Sequence, residues 1–106
     1  MSYANCTVTV NNNGVSCNPD PVIVTRNSQD GVQWTMAQSG YTFTGVDIPG
    51  GGSDFGPPDI TTNNAGRSVM TVTDSVQDLG DYSYTILYTT PSGERRSFDP
   101  TIRNNP

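Results

Sequence analysis

Two stretches of strict alternation constrain this chain more than anything else in it. In Val32-Gln33-Trp34-Thr35-Met36 every second residue is large and apolar. The same holds for Tyr82, Tyr84, Ile86 and Tyr88, which follow the corner Asp78-Leu79-Gly80-Asp81. A period of two sends successive side chains to opposite faces of a pleated strand, so each stretch has one face for a core and one for solvent. The first carries the only Trp of the chain. Large rings on strands of facing sheets are what the interior of a β-sandwich needs. The expected inward set is Val32, Trp34, Met36, Tyr82, Tyr84 and Ile86.

Shorter runs complete the pattern. Cys6 to Val10 turns through Asn11-Asn12-Asn13-Gly14 into Val15 to Cys17, with Asn13-Gly14 supplying the positive φ of a hairpin. Asn18-Pro19-Asp20-Pro21 kinks the path before Val22 to Thr25, because Pro donates no ladder hydrogen bond. Tyr41 to Ile48 continues the alternation beyond Met36, and Ser68 to Thr73 is a further strand. Pro91-Ser92-Gly93 joins the Tyr82 strand to a hairpin neighbour, Glu94 to Ile102. Between the strand Tyr41 to Ile48 and the strand Ser68 to Thr73 lies Pro49 to Asp59, a loop with no apolar period and a single aromatic, Phe55, and long for a connection in a compact domain. The expectation is one all-β domain over 1–106, a Greek-key β-sandwich of about seven strands.

Composition agrees and excludes several functions. Val, Thr and Tyr are plentiful and Leu is rare, which favours strands over helices. There is no His, and 5 Arg face 10 acidic residues for a formal charge of −5. Phosphate neutralisation is therefore lacking and anionic lipid repels, so neither nucleic acid nor membrane is an expected partner. Met1 to Cys6 lacks the basic and apolar regions of an export signal, so a soluble chain, cytoplasmic by preference, is expected. An unidentified protein or a small ligand is the expected partner, with homo-oligomers left open.

Cys6 and Cys17 lie in phase with apolar neighbours. They read either as buried reduced thiols or as a disulfide tying the first hairpin, although a turn at Asn13-Gly14 sets them out of direct register. Two thiols without imidazole do not complete a zinc site.

Three resemblances follow from these residues. Asp78-x-Gly80-x-Tyr82-x-Tyr84, with Trp34 on an earlier strand, resembles the tyrosine corner of immunoglobulin-type domains, which implies a sandwich but not antibody-like binding. Pro21-Val22-Ile23-Val24, Val32-Gln33-Trp34 and Gly80-x-Tyr82-x-Tyr84 resemble cupredoxin strands. A blue-copper centre needs two His and a Cys, so the resemblance implies that fold without copper. Phe98-Asp99-Pro100-Thr101-Ile102-Arg103-Asn104, with Pro19-Asp20-Pro21-Val22, looks like small bacterial β-sandwich domains of unknown function ending in Asp-Pro-x-Ile-x-Asn.

Chemistry-bearing residues are few. A hydroxyl or thiol nucleophile would have only carboxylates to activate it, so no catalytic residue and no cofactor are expected. Clustered Asp carboxylates suit calcium, and Asp74, Asp78 and Asp81 at the corner are the candidates, with Asp47, Asp54 and Asp59 as a second set. Asp at turns equally serves to cap its own backbone. Asp54, Phe55 and Asp59 form a candidate contact loop, in which Phe55 either plugs the end of the sandwich or stands exposed. Arg95, Arg96 and Arg103 are expected to guard a sheet edge. The leading expectation is a non-enzymatic binding or structural module acting through loops or sheet edges, and the alternative is a loop-borne calcium or carbohydrate-binding module.

Overall fold

The computed structural model describes residues 3–11, 14–50, 54–77 and 79–105. Among them run eleven strands and no helix: β1 (Tyr3–Asn11), β2 (Gly14–Asn18), β3 (Val22–Thr25), β4 (Gly31–Met36), β5 (Thr42–Asp47), β6 (Asp59–Thr62), β7 (Ser68–Thr73), β8 (Gly80–Ser83), β9 (Thr85–Thr89), β10 (Arg95–Phe98) and β11 (Thr101–Asn105). Among these residues no helix is long and apolar enough to cross a membrane.

The first sheet has five strands in the order β2-β1-β4-β7-β6. Its centre is the parallel pair β1 and β4, in which Cys6 faces Trp34 and Val8 faces Met36. On β7, Met70 stands opposite Trp34 and Val72 opposite Val32. Alternation turns Cys6, Val8, Val10, Val32, Trp34, Met36, Met70 and Val72 to one buried face. Gly31 opens β4 because nothing larger fits: a Cβ there would fall on the Val72 carbonyl and 2.8 Å from Thr73 Cα.

The other strands pair in two groups, β10-β9-β5 and β3-β11-β8, but register shows them to be one surface. Phe98 faces Ile86 and Thr101 faces Ser83, three residues further on along one strand and three back along the other. Between them Tyr84 N–H donates to the Pro100 carbonyl at 3.1 Å. The ladder thins at this point because Pro100 has no N–H to return. The hairpin is therefore continuous, with β3 added parallel along β11 and β5 antiparallel along β9, through a bulge between Phe43 and Gly45. Both Asp-Pro pairs stand at this thinning. Asp20 Oδ1 accepts from Thr101 N–H at 2.9 Å, and Asp99 Oδ1 accepts from the Thr85 hydroxyl at 2.7 Å.

The two sheets enclose one core of β-branched, aromatic and thioether side chains, to which the second sheet adds Val22, Val24, Phe43, Tyr84, Ile86, Tyr88 and Ile102. This is the all-β sandwich expected. Trp34 is fully buried, and its indole Nε1 donates to the Tyr84 hydroxyl across the interior at 2.8 Å, with the ring centroids 5.4 Å apart. Burial raises the Tyr84 phenol above its ordinary value, so it stays protonated.

Some expectations shift. The strand count exceeds seven, partly because the two long C-terminal strands are each interrupted and partly because β6 was not anticipated. Asn11 pairs with Gly14, whose φ is positive as expected; Asn12 and Asn13 of the expected turn lie outside the described residues. Tyr82 is half-buried rather than core. Arg103 lies on β11 between β3 and β8 and not on an edge, whereas Arg95 and Arg96 do occupy an edge stretch, β10. The thiols are free. Cys17 faces Val8, which leaves Cys6 diagonal to it. The two reduced thiols are nonetheless hydrogen-bond neighbours across the hairpin.

Truncating the bridging hydroxyl tests the link between the sheets. Tyr84→Phe leaves a buried indole N–H without an acceptor and is expected to cost about 1–3 kcal/mol, read as a lower urea midpoint at unchanged m-value. A loss below about 0.5 kcal/mol would show that the bond is dispensable.

Candidate functional site

Three connections meet at one end of the sandwich: the turn after β3, the segment before β6 and the stretch after β7. Asp54 and Asp74 come together there. Each is only 4% exposed, which is rare for a carboxylate.

Local chemistry explains how each is held. Phe55 forms a β-bridge to Asp74, and Gly56 N–H donates to the Thr73 carbonyl at 3.0 Å, so the long loop returns as a short extension alongside β7. Asp54 Oδ1 accepts from the Ser75 hydroxyl at 2.8 Å and from Gln77 N–H at 3.2 Å. Asp74 Oδ1 accepts from Val76 N–H at 3.0 Å and from Asn104 Nδ2 at 3.4 Å. Asp74 Oδ2 is buried and has no hydrogen-bond partner.

Val76 is buried with φ at 51°, a left-handed conformation that a β-branched residue rarely adopts. Its N–H is held by Asp74 and its carbonyl by Arg26 Nε at 2.9 Å, so a carboxylate and a guanidinium fix the strained turn from both sides. The walls of this end enclose an open cleft of about 490 Å³ lined by Arg26, Asp30, Asp54, Asp74 and Ser75 among others.

The remaining candidates lie elsewhere. Asp81 is on β8 and exposed, paired with Arg103 Nε at 2.8 Å, and that guanidinium holds its carboxyl below the usual value. Asp78 lies outside the described residues. The set Asp74, Asp78 and Asp81 is therefore not brought together among the described residues: Asp81 is engaged on the sheet by its cross-strand Arg. Asp59 is exposed at the start of the edge strand β6 and Asp47 ends β5, so Asp54 is the member of the second set that reaches the cleft. Phe55 is half-buried and meets Tyr82 edge-on at 5.5 Å, closing the end of the sandwich. Among the described residues no group of three or more His, Cys, Asp or Glu is placed to hold a metal.

Chemically the cleft is an arrangement of oxygen acceptors. The contact between Ser75 and Asp54 resembles a nucleophile and base, but a carboxylate is a weak base for a hydroxyl, and this pair serves as a loop staple. Arg26, Asp30 and Asn104 carried no signal in the sequence that linked them to Asp54 or Asp74.

No protein-family model matches this chain, and no curated protein matches it.

Burial is the main cause that raises the Asp74 carboxyl above its ordinary value. The nearby Asp54 charge raises it further, against the lowering hydrogen bonds from Val76 and Asn104. An acid raised in the folded state penalises stability above its folded pKa. The penalty fades as pH falls through that value toward the unfolded one, near 3.9. Asp74→Asn keeps an acceptor for Val76 and removes the charge. In chelator-treated buffer the wild type is therefore expected to gain stability relative to Asp74→Asn as pH falls from 7 to 4. Parallel denaturation midpoints across that range would contradict this reading.

Proposed function

We propose that this chain is a non-enzymatic binding module that meets a protein or small ligand through the loop end at which Asp54 and Asp74 converge. The observation that carries the reading is the pair of almost wholly buried carboxylates on an open cleft, one of them with an unpartnered oxygen. Buried charge is costly and stays in a fold where something compensates for it, and clefts with a few convergent polar groups are where ligands bind.

The reading of the module as non-enzymatic is supported by the absence of His and Lys from the chain and by the use of both carboxylates as backbone and hydroxyl acceptors. Greek-key winding of the immunoglobulin or cupredoxin kind is the wiring we favour for the sandwich, and without imidazole it would bind no blue copper. Exposed edges at β2 and β6 are secondary contact surfaces through which copies could pair.

Backbone amide spectra of the labelled chain, titrated with saccharides, short peptides and divalent cations, test this proposal. Binding is expected to move the amides of Gln29, Gly56, Asp74 and Val76 first. Shifts confined to the opposite end, around Tyr41, Thr90 and Arg96 where a second open cleft lies, or turnover of any ligand, would displace the proposal.

A further inference from the structure

We infer that the cleft between Asp54 and Asp74 holds a divalent cation of calcium's size and hardness, with the two carboxylates as its charged ligands and water completing its shell. The inference rests on the loop-end reading above and names its ligand.

The unpartnered oxygen is the starting point. Asp74 lines the cleft and is only 4% exposed, while its Oδ2 finds no donor. A buried carboxylate oxygen in that condition costs more than a neutral group does, and only a proton, a donor or a cation relieves it. Asp54 arrives from a separate connection with a second carboxylate. Two negative groups crowded in a low-dielectric site repel each other, and a cation between them turns that repulsion into attraction.

The donor set decides which cation. The cleft offers carboxylate, hydroxyl and backbone oxygens, the chain has no imidazole, and its thiols lie on β1 and β2, away from these loops. All-oxygen donors select hard cations over copper, zinc or iron. Calcium tolerates irregular coordination with several waters, whereas magnesium demands near-ideal octahedral geometry. Arg26 is the guanidinium in the lining, and it is committed to the carbonyls of Val76 and Gln77. With Asp30, Asp54 and Asp74 against it, the cleft stays negative. Two carboxylates with water are a modest ligand charge, so binding belongs in the weak class, at about 10⁻⁴–10⁻³ M.

The test is calorimetric titration of the chelator-stripped full chain with Ca²⁺, alongside thermal melts. Saturable binding near one equivalent is expected, with magnesium weaker. Asp74→Asn and Asp54→Asn, which keep their acceptor oxygens, should each weaken binding by more than about tenfold. Asp81→Asn should leave it unchanged, and near-UV dichroism of the Trp34 environment reports that each variant is folded. No saturable heat up to about 10 mM, well beyond the weak class, would overturn the inference. So would binding that survives Asp74→Asn, or that disappears with Asp81→Asn. If calcium fails while another ligand still moves the Gly56 and Val76 amides, the loop-end module stands and the cation alone falls. If calcium binds but moves only distant amides, the cleft itself is refuted.

Discussion

A polar contact between two large rings in a largely apolar part of the interior sets the relation of the two sheets. Trp34 on the first sheet and Tyr84 on the second are each a large ring with one hydrogen-bonding atom. In a dry core those atoms must find each other, or each carries an unpaid desolvation cost. The bond of 2.8 Å between them restricts how one sheet can slide or rotate over the other. Aliphatic packing alone tolerates many arrangements of similar energy, whereas a buried bond tolerates one, so much of the specificity of this core rests on this pair.

That contact also accounts for the course of the C-terminal hairpin. Tyr84 sits where its strand is interrupted, opposite Pro100, and the neighbouring Asp20 and Asp99 supply from their side chains contacts that the thinned ladder lacks. The polypeptide keeps one register across the break. Ile102 and Asn104 on β11 therefore follow in phase, Ile102 into the core and Asn104 onto the buried Asp74 carboxylate. In this way the central bond and the cleft are joined through one strand, which carries Asn104 from the sheet to the connections that line the cleft.

Much of this was legible in the sequence. The alternation around Trp34 and around Tyr84 to Tyr88 gives strand, face and burial together, because a period of two is local information. β6 was not legible: Asp59-Ile60-Thr61-Thr62 is exposed throughout, so it has no inside and outside to alternate, and its strand character comes wholly from pairing with β7. The parallel pairing of β1 with β4 likewise depends on chain path and leaves no local mark. The site was half legible. Asp54 and Asp74 both stood among the acidic candidates, but in different groups, since grouping by proximity along the chain cannot show that the loop before β6 folds back beside β7. Asp81 misleads for the converse reason. It is near Asp74 in sequence, yet strand geometry hands it to Arg103 across the sheet.

The two buried carboxylates have a purely architectural role as well, and the strength of the functional reading depends on what that role leaves unexplained. Asp54 and Asp74 each hold the strained turn around Val76 by accepting hydrogen bonds at Oδ1. Asn would accept those same bonds through its amide oxygen, with no charge to desolvate. Capping therefore explains an acceptor at each position but gives no reason for an ionisable one. What capping leaves over is the second oxygen of Asp74, buried and unmatched, facing another carboxylate's field in a site with a raised proton affinity. Burial first, and the Asp54 field after it, disfavour a bare charge on Asp74, and a bound cation would neutralise that charge as a proton does. The distinction between a turn that merely tolerates its carboxylates and one that uses them thus reduces to what occupies that one oxygen.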